Sequence, residues 1–124
     1  MIFRNAITVL RGAVFVKDDS PKEIDRVTQV LLNRLVEHNS LKHKRILAMI
    51  FSVTNDIQSK NPATAAREAG YEVPLFCVQE AQFKNAPRLC IRVILWYQGK
   101  IKKPVHVYCE GAEILRPDLM IPNN

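Results

Sequence analysis

The chain has 124 residues, 48% of them apolar, a size and composition that fit one folded domain and exclude a disordered segment. A formal charge of +6 favours acidic partners, yet the basic residues are dispersed. The short clusters Lys42-His43-Lys44-Arg45 and Lys100-Ile101-Lys102-Lys103 carry no interleaved aromatic residues, so they read as solvated turns and argue against a nucleic-acid module. Cys77, Cys90 and Cys109 lack CxxC spacing, and two of them sit inside apolar runs, which suits reduced thiols and a cytoplasmic location. No apolar run reaches the roughly 18 residues of a membrane span, and Met1-Ile2-Phe3-Arg4-Asn5 lacks the pattern of a secretion signal.

Ile7 to Val16 reads as a first strand, with Arg11 just before Gly12, where the backbone is free to bend. Ser20-Pro21-Lys22-Glu23 predicts a helix start, with Ser20 as N-cap, Pro21 at the first helical position and Glu23 completing a capping box. Ile24, Val27, Leu31 and Leu35, joined by Val30 and Leu32, give that helix one apolar face to about Asn39. Ile46 to Val53 is a continuous apolar run, hence a buried strand. Asn61 caps a short helix that Pro62 opens and Gly70 ends.

Val73–Gln79 and Leu89–Gln98 are further strands, Val105 to Cys109 alternates as another, and Ala112-Glu113-Ile114-Leu115 reads as a last short one. The fold class is α+β (mixed α/β): a single domain over 1–124, with a mixed β-sheet and two helices on one face. The other sheet face, apolar in several strands, calls for a partner and reads as a subunit interface. Residues 115–124 read as a flexible tail, with Pro122-Asn123-Asn124 loose without ligand.

The run Leu89 to Tyr97 has β-branched and aromatic residues at both parities and one charge, Arg92, on the face of Cys90, Ile94 and Trp96. A guanidinium cannot shed its proton to escape burial, so Arg92 needs an anionic partner in an internal ion pair or an anionic ligand in a wet pocket. The chain shows no nucleophile elbow, no phosphate-cradling glycine loop and no histidine pair at metal spacing. His38 and His43 read as solvent-facing, His106 as a packed or exposed strand residue, and Cys90 and Cys109 as core thiols. What remains is Arg11, Arg67, Arg92 and Arg116 with Glu80 and Tyr108, a set that suits a small polyanion bearing a hydroxyl.

Arg11-Gly12-Ala13, Asp56, Pro62-Ala63, Arg67-Glu68, Val73-Pro74, Cys77-Val78-Gln79-Glu80, Cys90-Ile91-Arg92-Val93, His106-Val107-Tyr108 and Leu115-Arg116-Pro117-Asp118-Leu119 follow in order from about Ile7 to Leu119. Together they resemble the monofunctional AroH-class chorismate mutases, the trimeric Bacillus-type family. The resemblance implies a homotrimeric pseudo-α/β-barrel with active sites between subunits, and no cofactor or metal. It also implies conversion of chorismate to prephenate, in the shikimate-derived synthesis of phenylalanine and tyrosine.

Arg92, by the same resemblance, faces the ether oxygen of the substrate. Arg11 grips a carboxylate with Tyr108 beside it, Arg67 contributes from the rim, and Glu80 and Cys77 address the ring hydroxyl. Phe76 and Leu115 line the ring or offer backbone contacts, and Arg116 helps close the site. The implied division puts Arg67, Cys77 and Glu80 on one subunit and Arg11, Arg92 and Tyr108 on its neighbour.

Asn61 and Thr64 depart from the family pattern, which often has an aromatic before the proline and a lysine two residues after it. The loss of that cation weakens capture at the mouth of the cleft, and the Lys100–Lys103 loop is a candidate for long-range steering instead. The competing reading is a RidA/YjgF-like trimeric imine or enamine deaminase or small-ligand binder, which also holds a carboxylate with an arginine. Glu80 in C-x-Q-E and the Arg11-Gly12-Ala13 start favour the mutase.

Overall fold

Five strands form one mixed sheet in the order β3-β2-β4-β1-β5 in the computed structural model, which describes residues 6–119. The segment read for a secretion signal (1–5) and residues 120–124 of the tail expected over 115–124 lie outside the described residues, while Pro117–Leu119 forms a 3₁₀ turn. The strands are β1 (Ile7–Phe15), β2 (Ile46–Val53), β3 (Leu75–Gln79), β4 (Cys90–Gln98) and β5 (Val107–Cys109), with helices α1 (Pro21–Asn39) and α2 (Pro62–Glu68). The central strand β4 runs antiparallel to both β1 and β2, while β3 and β5 add as parallel edges. Among the described residues no helix is long and apolar enough to cross a membrane.

Both helices begin as their sequences dictate. Ser20 Oγ accepts from Glu23 N–H (3.3 Å), and Asn61 Oδ1 accepts from Ala63 N–H (2.8 Å). The capping box at α1 is only half formed, because the Glu23 carboxylate reaches past Ser20 to Lys17 N–H (3.0 Å) and to Arg26. The Arg26 guanidinium holds the Glu23 carboxyl down at about 2, and the Lys17 N–H adds to this against a smaller opposing effect of burial.

α1 and α2 cover one face of the sheet. Leu10, Val14, Met49, Phe51, Ile91, Leu95 and Val107 are fully buried there against Ile24, Val27, Leu31 and Leu35 of α1. Each such side chain contributes about 1.5–3 kcal/mol when removed from water, so this face accounts for the stability of the domain. Gly12 serves close approach, not a bend. It lies inside β1, and a Cβ there would stand 2.6 Å from Val107 O and 2.7 Å from a Leu31 methyl.

Three strand assignments are corrected. Ala112–Leu115 is a 3₁₀ turn, because Glu110 and Gly111 take left-handed backbone angles (φ 55° and 93°) and swing the chain off β5. β5 begins at Val107 and not Val105, since the Val105 N–H and C=O are both taken by the buried Asn39 side chain (2.8 Å each). β3 begins at Leu75, after Pro74, which has no N–H to give a ladder.

β4 is also not buried on both faces. Ile91, Val93, Leu95 and Tyr97 are buried, whereas Arg92, Ile94 and Trp96 are only partly covered. Their face is the open one, and it exposes Ile7 (55%), Val9 (41%), Phe76 (62%) and Val78 (42%).

Candidate active site

Arg92 stands on the open face, opposite Ser52 of β2 on one side and Ala13 of β1 on the other. Its Nε donates to Glu80 Oε2 at 3.0 Å, and Ser52 Oγ donates to that same oxygen at 2.7 Å. Glu80 follows the last residue of β3, and its own N–H is tied to Val53 O (2.9 Å). An ion pair this exposed (side chains 36% and 21%) adds only about 0–1 kcal/mol of stability. Its use is geometric: it sets the plane of the guanidinium. Among the described residues the two Nη groups of Arg92 make no hydrogen bond.

The start of β4 is locked from below. Leu89, with φ 49°, gives its N–H to both oxygens of Asp56 (3.1 Å each), and Cys90 N–H donates to Thr54 Oγ1 (3.0 Å). The Thr54 hydroxyl in turn donates to Asp56 (2.6 Å), so the backbone two residues from Arg92 has no slack.

Arg11 lies on the same face as Arg92 two positions along β1, and Tyr108 of β5 is opposite Ala13. The Arg11 N–H, beyond the end of the β1–β5 ladder, donates to His106 Nδ1 at 3.2 Å. Burial and the charges of Arg11 and Arg116 push the His106 pKa down, so the imidazole is neutral near pH 7 and free to accept. Arg116 is bound by both carboxylate oxygens of Asp118 (3.0 and 2.7 Å). Tyr108 and Leu115 pack on a small cluster of Ala13, Cys90 and Ala112. Burial raises the Cys90 thiol to about 12 and the Cys109 thiol to about 11, so neither offers a thiolate.

Arg67, Phe76 and Cys77 form a separate group. Arg67 projects from the exposed side of α2, and with Phe76 and Cys77 it lines a cavity of about 860 Å³ between α2 and the β3 edge. Cys77 is half-buried on the helix-covered side, and burial raises its thiol pKa. Asn61 and Thr64 line the same cavity. The Asn61 side chain is spent on capping α2, and the nearby Lys60 is held between Asp25 (2.8 Å) and Glu68 (2.6 Å). Neither replaces the cation that Thr64 lacks.

The chain thus carries two groups: Arg11, Glu80, Arg92, Tyr108, Leu115 and Arg116 on or beside the open face, and Arg67 and Cys77 at the far edge, with Phe76 of β3 lining the cavity and also exposed on the open face. No hydrogen bond or ion pair joins them among the described residues. Glu80 meets Arg92 of its own chain, whereas the expected division between subunits puts it with Arg67. Ser52, Thr54 and His106 are participants that sequence reasoning missed. Ser52 could have been found, as the one polar residue in the apolar run 46–53.

An open sheet face with guanidinium donors unpaired among the described residues, beside a carboxylate acceptor, is an arrangement that can hold a small anion bearing a hydroxyl. Residues 7–119 match the family of chorismate mutase type I, and the chain belongs to that family. It is 36% identical over 119 residues to chorismate mutase AroH of Bacillus subtilis (strain 168), covering 93% of this chain and 94% of that protein. It is 39% identical over 114 residues to chorismate mutase AroH of Thermus thermophilus, covering 89% and 93%. Its fold matches the solved structure of a chorismate mutase from Clostridium thermocellum with a TM-score of 0.82 at 35% identity, over 86% of this chain and 98% of the other.

Proposed function

We propose that this chain converts chorismate to prephenate in the cytoplasm, as a homotrimer whose active sites each combine the sheet-face group of one subunit with the cavity group of the next. The observation that carries the reading is Arg92, oriented through Nε by Glu80 with its Nη groups unpaired on an open face. The exposed Phe76, Val78 and Val9 on that face favour a covering subunit, and the three unpaired cysteines suit a reducing compartment.

The rearrangement is unimolecular and moves no proton. As the ether bond of chorismate breaks, negative charge grows on its oxygen. A guanidinium already aimed there stabilises the transition state more than the ground state, and one such donor accounts for about 3–4 kcal/mol of barrier. Arg11 takes a carboxylate, its backbone fixed by His106, and Tyr108 lies alongside. Arg67 of the adjacent subunit supplies a second cation at the rim, Phe76 and Leu115 bound the ring, and Arg116 closes over the mouth. Holding the enolpyruvyl arm over the ring adds an orientation contribution.

The test is loss of the chorismate ultraviolet absorbance with prephenate as product. Rapid turnover by the wild type, lost in a folded Arg92→Ala variant, is expected. A folded wild-type oligomer with no turnover contradicts the reading.

A further inference from the structure

We propose that Ser52 is a positioning residue that holds Glu80 to Arg92 through a single oxygen, and so keeps Glu80 Oε1 and the Arg92 Nη groups open for the substrate's hydroxyl and ether oxygens. The inference rests on the mutase reading and deepens it.

Ser52 is the one polar residue of β2 and stands directly across from Arg92. Side chains so placed are close enough to pair, yet these two do not bond each other. Both donate to Glu80 Oε2, at 2.7 and 3.0 Å, while Oε1 has no hydrogen bond among the described residues. Arginine and a carboxylate left to themselves favour the forked arrangement, in which both oxygens meet two guanidinium nitrogens. That arrangement would consume Oε1 and one Nη group together. The backbone of Glu80 is pinned to Val53 O, so the side chain has only its own torsions with which to rotate into the fork. The Ser52 hydroxyl opposes that rotation by holding Oε2 with a second hydrogen bond.

The consequence is a free acceptor next to free donors. In chorismate the ring hydroxyl is on the carbon beside the one that bears the ether oxygen, so one ligand offers a donor and an acceptor at matching separation. Ser52 therefore acts on discrimination: without it, Glu80 closes on Arg92 and the hydroxyl loses its partner. A charge-assisted hydrogen bond lost in this way lowers affinity about tenfold.

The test uses the full-length oligomer and a bicyclic dicarboxylate mimic of the transition state, with and without its hydroxyl, on wild type, Ser52→Ala and Ser52→Thr. The wild type is expected to prefer the hydroxylated mimic, Ser52→Ala to lose about tenfold of that preference, with the deoxy mimic weakened far less because one Nη group stays free, and Ser52→Thr to keep it. In Ser52→Ala, kcat/KM for chorismate should fall by a similar factor at an unchanged melting temperature. Equal weakening of both mimics, or an unchanged preference, overturns the role of Ser52 while leaving the mutase reading intact. Absence of turnover by the wild type overturns the reading itself, and the proposal with it.

Discussion

The two faces of the sheet are made by alternate residues of the same strands, and they obey different rules. On the helix-covered face every position from Leu10 to Val107 is chosen for volume, and Gly12 is there because β5 and α1 come too close for any side chain. On the open face the same strands offer Arg11, Ser52 and Arg92 among half-covered apolar residues. The period of two lets one strand serve stability on one side and chemistry on the other without compromise. Substitutions should sort accordingly, with open-face changes costing activity and covered-face changes costing stability.

Arg92→Ala should show the largest separation: kcat down by about 1000-fold or more, with the melting temperature nearly unchanged because the ion pair with Glu80 is partly exposed. A fall in stability comparable to the loss of rate would break the contrast. Gly12→Ala should behave in the opposite way. A methyl 2.6 Å from a backbone oxygen has nowhere to go, so about 3 kcal/mol of stability should be lost in urea melts.

Thr54→Val lies between the two faces. It strands the Cys90 N–H and removes a donor from Asp56, so about 2 kcal/mol should be lost, with some loss of kcat as the start of β4 loosens. The smallest effect belongs to the first turn of α1. The Glu23 carboxyl lies at about 2 when folded, below its ordinary 4.5. Its stabilisation is therefore complete above pH 4.5 and disappears as pH falls through about 2, amounting to about 1 kcal/mol. Acid titration of the unfolding free energy should show this drop in the wild type and not in Glu23→Gln.

Much of this contrast was legible in the residues. The apolar spacing and caps of α1 and α2 depend on local contacts, and both helices form over the expected spans. Arg92 was conspicuous because one fixed charge in an apolar strand must be explained. Features that depend on distant pairing were not legible. The meeting of Glu80 with Arg92 requires β2 to lie between β3 and β4, and Ala112–Leu115 shows strand-like composition until Glu110 and Gly111 turn the chain away. His106 read only as a strand residue within His106-Val107-Tyr108, because its hydrogen bond from the Arg11 N–H lies beyond a ladder whose end is visible only in the fold.

The central claim is that the two groups of residues on one chain belong to different active sites. Subunit complementation tests it most directly. Arg92→Ala and Arg67→Ala chains, each nearly inactive alone, are co-expressed and purified as mixed oligomers. If each site joins the sheet face of one subunit to the cavity of the next, about one quarter of the sites in an equal mixture are intact, and chorismate turnover returns to that level. A mixture as inactive as its two parents would contradict the composite site.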